Sequence, residues 1–197
     1  MVEIIRGDQV DFDPRPQMSR VFVEGFYPWM KSVSKDKDKL TKVFAHMFNL
    51  ERFFVVVKGE QIAAMAACTN GTSPVVLDRK VFVQVLGLVR GNISYMSLRK
   101  HMMSSSLPFS IGAKTGVIEF VATAPEFRQH GMAYALLAHV MASQPFDAYI
   151  LEVAGNNEGA MKLYTKLGFR EFKRIKAPKR SMVDEFVYMR YSAALKL

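Results

Sequence analysis

Residues 117–141, VIEFVATAPEFRQHGMAYALLAHVM, constrain this chain more than any other stretch. VIEFVA carries the β-branched and aromatic residues that suit a pleated, half-buried strand. Pro125 has no backbone N–H to donate and ends the ladder. A polar loop, Arg128-Gln129-His130-Gly131-Met132-Ala133, then opens a helix. Its apolar positions Ala133, Leu136, Leu137, Val140 and Met141 fall three and four apart and make one stripe. A strand that runs through a loop into a helix N-terminus makes an anion site, because the first-turn N–H groups have no intrahelical acceptor and the peptide dipoles add positive charge there. Gly131 lets backbone approach a phosphate with no Cβ in the way, and Ala133 is the next smallest choice. The Lys-Ser/Thr of a P-loop is missing, as is the triple-glycine dinucleotide fingerprint. The stretch reads as a pyrophosphate cradle without a metal.

A second block lies downstream, ILEVAGNNEGAMKLYTKLGFREF. Arg128-x-x-Gly131-x-Ala133 after a strand resembles the acyl-CoA pyrophosphate loop of the GNAT N-acetyltransferases, Arg/Gln-x-x-Gly-x-Gly/Ala. The second block resembles that family's strand followed by Asn-x-x-Ala-x-x-Leu-Tyr-x-x-Leu-Gly-Phe, matched by Asn157, Ala160, Leu163, Tyr164, Leu167, Gly168 and Phe169. The resemblance is close over about residues 115–175 and covers the first half in outline. It implies an α/β (α+β) fold, a central mixed, mostly antiparallel twisted sheet of six to seven strands flanked by helices. It implies acetyl-CoA as co-substrate, no metal, and a small-molecule or peptide amine as acceptor.

Composition sets bounds around this reading. A chain of 197 residues, half of them hydrophobic, suits one well-cored domain over 1–197 rather than two. The single cysteine, Cys68, lies in an apolar run and has no internal disulfide partner. No run of about 18 apolar residues occurs, so a cytoplasmic protein with no membrane partner is expected. The formal net charge is +9, and eight basic residues with one acid, Glu171, lie between Lys162 and Arg180. Such a run is either a solvated face or an electropositive rim for CoA phosphates or an acidic acceptor. No nucleic-acid-binding motif accompanies it, which argues against a nucleic-acid partner. Homodimerisation stays open.

Taken in order, Val2 to Arg6 reads as a strand. A helical pattern from Met18 to Val33 is interrupted by Gly25 and Pro28, which predicts a kink or two short helices. After the charged run Lys35–Lys39 a second helix places Leu40, Val43, Phe44, Met47 and Phe48 on one face. Arg52–Lys58 and Gln61–Thr69 read as a β-hairpin about Gly59-Glu60. Residues 70–114 depart from the short connection usual in the resembled family. Asp78 is a plausible N-cap, and two helices are expected there, broken at Gly91-Asn92, forming either a wall of the acceptor pocket or extra packing. Strands at 148–153, 172–176 and 182–191 and a helix from Asn157, closed by Gly168, complete the chain.

Acyl transfer to an amine needs the cofactor held, the carbonyl polarised, the amine deprotonated and the leaving thiolate protonated. The resemblance implies that Arg128, Gln129, His130, Gly131, Met132 and Ala133 hold the pyrophosphate. It implies that the strand edge at Val121, Ala122 and Thr123 pairs with the pantetheine arm, for which two parallel neighbouring strands must splay. It also implies that Asn157 and Ala160 border that arm and that Tyr164 is the general acid; a core tyrosine on the apolar face of Ala160 and Leu167 is the alternative. Glu119, the one carboxylate in an apolar strand, is the candidate base, alternating onto the face of Val121 and Thr123; an ion-paired structural role is the alternative. His101 and His130 are secondary candidates. The competing readings are a non-catalytic acyl-CoA-binding or sensing module and a basic RNA- or ribosome-associated protein.

Overall fold

The structure, a computed structural model, describes residues 2–102, 107–179 and 181–192, without the side chains of Lys100 and His101. Its strands are β1 (Val2–Arg6), β2 (Phe53–Lys58), β3 (Gln61–Thr69), β4 (Thr115–Thr123), β5 (Ala148–Ala154), β6 (Arg170–Lys176) and β7 (Glu185–Ser192). Its helices are α1 (Arg15–Met30), α2 (Lys37–Phe44), α3 (Arg79–Leu86), α4 (Leu88–Met102), α5 (Met132–Ser143) and α6 (Glu158–Lys166). The strands form one seven-stranded sheet in the order β1-β2-β3-β4-β5-β7-β6. All neighbours are antiparallel except β4 and β5, the pair joined through α5.

The two faces of the sheet divide the helices. Phe53 and Phe54 are adjacent on β2 and point to opposite sides, as the strand period of two requires. Phe53 meets Phe48 and Phe120, and Phe120 in turn meets Phe22 of α1. Phe54 meets His139 of α5. The α1 and α2 layer therefore covers one face and α5 the other. Both layers close on a continuous apolar core that includes Met18, Phe22, Phe44, Ile62, Met65, Leu136 and Leu137.

Two sequence expectations change here. The first is α1, which is a single helix. Gly25 does not break it; a Cβ at Gly25 would lie 3.1 Å from that of Ala122, so the glycine lets α1 sit close on β4. Pro28 falls in the last turn. A proline there leaves the carbonyl four residues earlier without its N–H partner, and that carbonyl, Glu24 O, has the Arg128 guanidinium within 3.5 Å. The second is the insertion. Asp78 caps α3 through its carboxylate, which accepts from Lys80 N at 2.7 Å. The break between its two helices falls at Gly87, φ 85°, and not at Gly91-Asn92. Gly91 serves close approach instead: a Cβ there would lie 2.5 Å from Phe82 O. Among the described residues no helix is long and apolar enough to cross a membrane.

Candidate active site

The site begins where β4 and β5 part. Their parallel pairing runs from Thr115↔Ala148 to Ile118↔Leu151 and stops, although both strands continue. At the same point the pairing of β4 with β3 slips between Met65 and Ala67, a β-bulge in which Phe120 takes φ 54°. A bulge bends its strand and adds twist, so β4 beyond Ile118 veers from β5 and leaves the edge facing β5 without a strand partner. The splay expected from the sequence has this cause.

Below the fork, β4 leads through Pro125–Phe127 to the loop that starts α5. Gln129 (φ 63°) and Gly131 (φ 75°) are both left-handed, which turns successive N–H groups to one side. The N–H groups from Gln129 to Tyr134 have no acceptor among the described residues; the first one bonded in the helix is that of Ala135, to Gly131 O at 3.0 Å. A Cβ on Gly131 would meet nothing within 4 Å, so the loop opens onto free space there. Arg128 braces the loop: its Nε donates to Thr123 O at 3.2 Å, tying loop to strand.

Across the fork stands α6. Asn157 caps it, its Oδ1 accepting from Ala160 N at 3.1 Å, which leaves its amide donors for a ligand. Between β4, the loop and α6 lies a groove of about 520 Å³. Val121, Ala122, Thr123, Arg128, Gln129, Gly131, Met132, Ala133, Asn157, Ala160 and Tyr164 all line it. His130 does not; it is exposed, and its Nδ1 lies 2.7 Å from Arg128 O. The lining also includes Phe127, Tyr134, Gly159 and Leu163, which sequence reasoning missed. Gly159 and Leu163 both lie within the second block; Leu163 is one turn after Ala160, where helical periodicity pointed, and Gly159 one turn before Leu163.

Tyr164 is 6% exposed yet borders the groove. Its hydroxyl has no hydrogen-bond partner among the described residues, and burial pushes its pKa up to about 12. The phenol therefore keeps its proton throughout the neutral range, as an acid must before its turn in a reaction.

Glu119 lies elsewhere. The bulge breaks the alternation predicted for Glu119, Val121 and Thr123, so the latter two line the groove and Glu119 does not. From the Ile118↔Leu151 register, Glu119 of β4 and Glu152 of β5 project side by side on the α1 face of the fork. Glu152 is exposed, although β5 is an interior strand, so the sheet is open above it. Its Oε2 accepts from Tyr188 Oη at 2.5 Å. Trp29 stacks on Phe186, 6.2 Å between centroids, and Phe109 meets Tyr188 edge-on at 5.2 Å. The end of the 70–114 segment, through Phe109, thus reaches this face, while α3 and α4 pack beyond α2. Oε2 of Glu119 is buried with no hydrogen-bond partner among the described residues. Burial first, and the charge of Glu152 second, raise the Glu119 pKa to about 7. Cys68 is buried and its pKa is pushed up to about 12, which makes it an inert thiol. Among the described residues no three His, Cys, Asp or Glu side chains could hold a metal. His101's side chain lies outside the described ones.

The fork thus presents a loop of unbonded N–H groups and a neutral phenol on one side, and a half-buried carboxyl whose pKa burial raises to about 7 on the other. The basic run of the sequence divides: Lys162 and Lys166 lie on α6, and Arg174 of the edge strand β6 pairs with Glu171 and Glu185.

Comparison with known proteins agrees with this fold. The N-acetyltransferase from Staphylococcus aureus Mu50 superposes with a TM-score of 0.59 at 17% identity, over 97% of this chain and 100% of that one. The ribosomal-protein-S18-alanine N-acetyltransferase from Escherichia coli gives 0.56 at 14% identity, over 98% and 94%. A GNAT-family acetyltransferase from Bacillus cereus ATCC 10987 gives 0.57 at 10% identity, over 98% and 97%. At these identities the likeness is one of fold. A comparison with curated protein sequences finds no match. The Acetyltransferase (GNAT) family profile matches residues 16–169, most of the chain and both motif blocks. The chain belongs to the GNAT acetyltransferase family.

Proposed function

We propose that this acyltransferase moves an acetyl group from acetyl-CoA to a primary amine by direct attack, within the cytoplasm. The observation that carries the reading is the run of unbonded N–H groups from Gln129 to Tyr134, opening into the same groove as the Tyr164 hydroxyl. Those donors and Gly131 hold the pyrophosphate, as a helix N-terminus holds an anion. The free edge of β4 at Val121, Ala122 and Thr123 offers backbone groups to the amide-bearing pantetheine arm, which binds as an added strand between β4 and β5. Asn157 and Ala160 border the arm from α6.

The acceptor enters from the α1 face, where the sheet is open above Glu152. Glu119 takes a proton from the ammonium form, the amine nitrogen attacks the thioester carbonyl, and a backbone N–H of the bulged strand stabilises the oxyanion. As the C–S bond breaks, Tyr164 gives its proton to the departing sulfur, and the surplus proton on the newly bonded nitrogen leaves by way of water and restores the phenol. Burial disfavours a free thiolate in the fork as it disfavours a phenolate, so the transfer is coupled to cleavage. Thiol release from acetyl-CoA, measured against a panel of small amines and peptide N-termini, tests the reaction. Amine-dependent release with at least one acceptor class is expected. CoA binding with no release across the panel would favour the non-catalytic sensing module.

A further inference from the structure

Four large apolar side chains stand in solvent on α4: Leu88, Val89, Ile93 and Met96 are 70%, 72%, 65% and 72% exposed. Their spacing is ordered. At about 100° per residue Val89, Ile93 and Met96 fall within one narrow arc, and Gly91, Ser94 and Leu98, the buried positions, occupy the opposite arc against α3. The helix presents small or apolar positions with Ser94 on its inner side, and over its first turns is apolar again on the side turned outward, up to Met96. Scattered surface hydrophobes need no explanation, but a contiguous row does.

The charge within the insertion that carries the row is of one sign. Between Asp78 and Glu119 the sequence contains no Asp or Glu, and six Lys or Arg: Arg79, Lys80, Arg90, Arg99, Lys100 and Lys114. Arg99 is exposed on one side of the apolar arc; Arg90 lies on the other, its Nε donating to Val33 O at 2.7 Å. We propose that the outer face of α4 docks this protein on an anionic lipid surface, with Val89, Ile93 and Met96 entering the headgroup–acyl boundary and Arg99 at the phosphates.

Apolar ridge and cationic flanks match the two parts of such a surface, acyl chains and anionic headgroups. A second copy of the chain fits poorly. Stable self-association takes about 20–30 residues a side, the ridge supplies a handful, and its flanks would meet like charge. A protein groove fits poorly too, since a helix laid in a groove is wrapped from several sides and the inner side of α4 is already closed on α3. The ridge is convex, and a planar surface needs no more than that. The expectation of no membrane partner rested on the absence of a long apolar run, a test for spanning segments that spaced residues on one helix face do not register. Docking here is also compatible with acyl transfer, because α3 and α4 lie beyond α2, on the sheet face opposite α5, and the cofactor groove stays open.

The test is co-sedimentation of the full chain with vesicles of phosphatidylcholine containing about 30% phosphatidylserine, beside vesicles of phosphatidylcholine alone. Binding to the anionic vesicles only is expected, weakening several-fold as salt rises from about 0.1 to about 0.5 M. An Ile93→Glu, Met96→Glu double variant is expected to bind about tenfold or more weakly, and Arg99→Glu to weaken binding with the ridge intact. Both variants should keep the parental melting temperature and acetyl-CoA affinity. No binding by the parent protein, or binding unchanged in both variants, would overturn the proposal. So would a dimer, seen by sedimentation velocity, that Ile93→Glu dissociates; the ridge would then be a self-interface.

Discussion

Tyr164→Phe is expected to turn over about 10²-fold or more slowly than the parent enzyme, the usual worth of a positioned general acid, while binding acetyl-CoA within a few-fold. Of the two phenols that line the groove, Tyr164 is the buried one, while Tyr134 is 38% exposed with Lys166 over its ring; Asn157, Arg128 and the backbone amides have no proton to release near neutral pH. The burial of Tyr164 makes the substitution clean, since the ring packs beside Phe169 at 6.1 Å and the hydroxyl has no partner to strand among the described residues. Removing it therefore changes the chemistry more than the packing. Stopped-flow measurement of thiol release separates that step from CoA binding. Turnover unchanged in Tyr164→Phe would remove this residue from the mechanism.

Glu119→Gln is expected to be more stable than the parent at pH 8 and much less active. The sign follows from burial. Burial holds the proton on Glu119 to about pH 7 in the folded chain, against an ordinary glutamate pKa of 4.5. Protonation therefore favours the folded state below about pH 4.5, and this contribution is lost as pH rises through about 7. Above pH 7 the native chain carries an ionised, half-buried carboxylate with an unpartnered oxygen beside Glu152. A neutral amide removes that charge, an effect of about 1–3 kcal/mol, or a few degrees of melting temperature, that disappears toward pH 4. In the same variant kcat/KM should fall about 10²-fold and lose its rise through pH 7, because the base is gone. Thermal melts at pH 4 and pH 8 with a pH–rate profile check both halves. A variant stabilised at pH 8 with unchanged kinetics would make Glu119 a strained structural carboxylate and pass the role of base elsewhere.

The grouping of the residues along the groove was legible because the segments that carry them are local. A strand, a loop with Gly131 and a helix start are consecutive in the chain, and the Asn157-to-Phe169 block is one helix and its cap. The fork itself was legible as a requirement but not as a cause, since nothing in VIEFVAT marks Phe120 for a positive φ. That bulge reverses the facing of the residues after it, which is why Glu119 parts company with Val121 and Thr123. Glu152 and Tyr188 were missed for a different reason. They meet only because β7 pairs with β5 ahead of β6, a non-local order that no periodicity records. The glycines of the insertion show the limit from another side. Gly87 and Gly91 look alike in sequence, yet one ends a helix in a positive-φ turn and the other lets two helices touch. Composition cannot separate those roles, because both follow from the missing Cβ.

The most direct measurement is calorimetric titration of acetyl-CoA into the parent protein and into Gly131→Glu. That substitution places a carboxylate at the mouth of the cradle, where nothing lies within 4 Å of the added Cβ, at a position whose φ of 75° also disfavours a side chain. Saturable binding by the parent, lost or weakened about 10²-fold in a variant that remains folded by circular dichroism, is the predicted result; one phosphate-like charge set against another in a site built for anions accounts for that loss. Equal binding by both proteins, or none by the parent, would contradict a cofactor held at the start of α5.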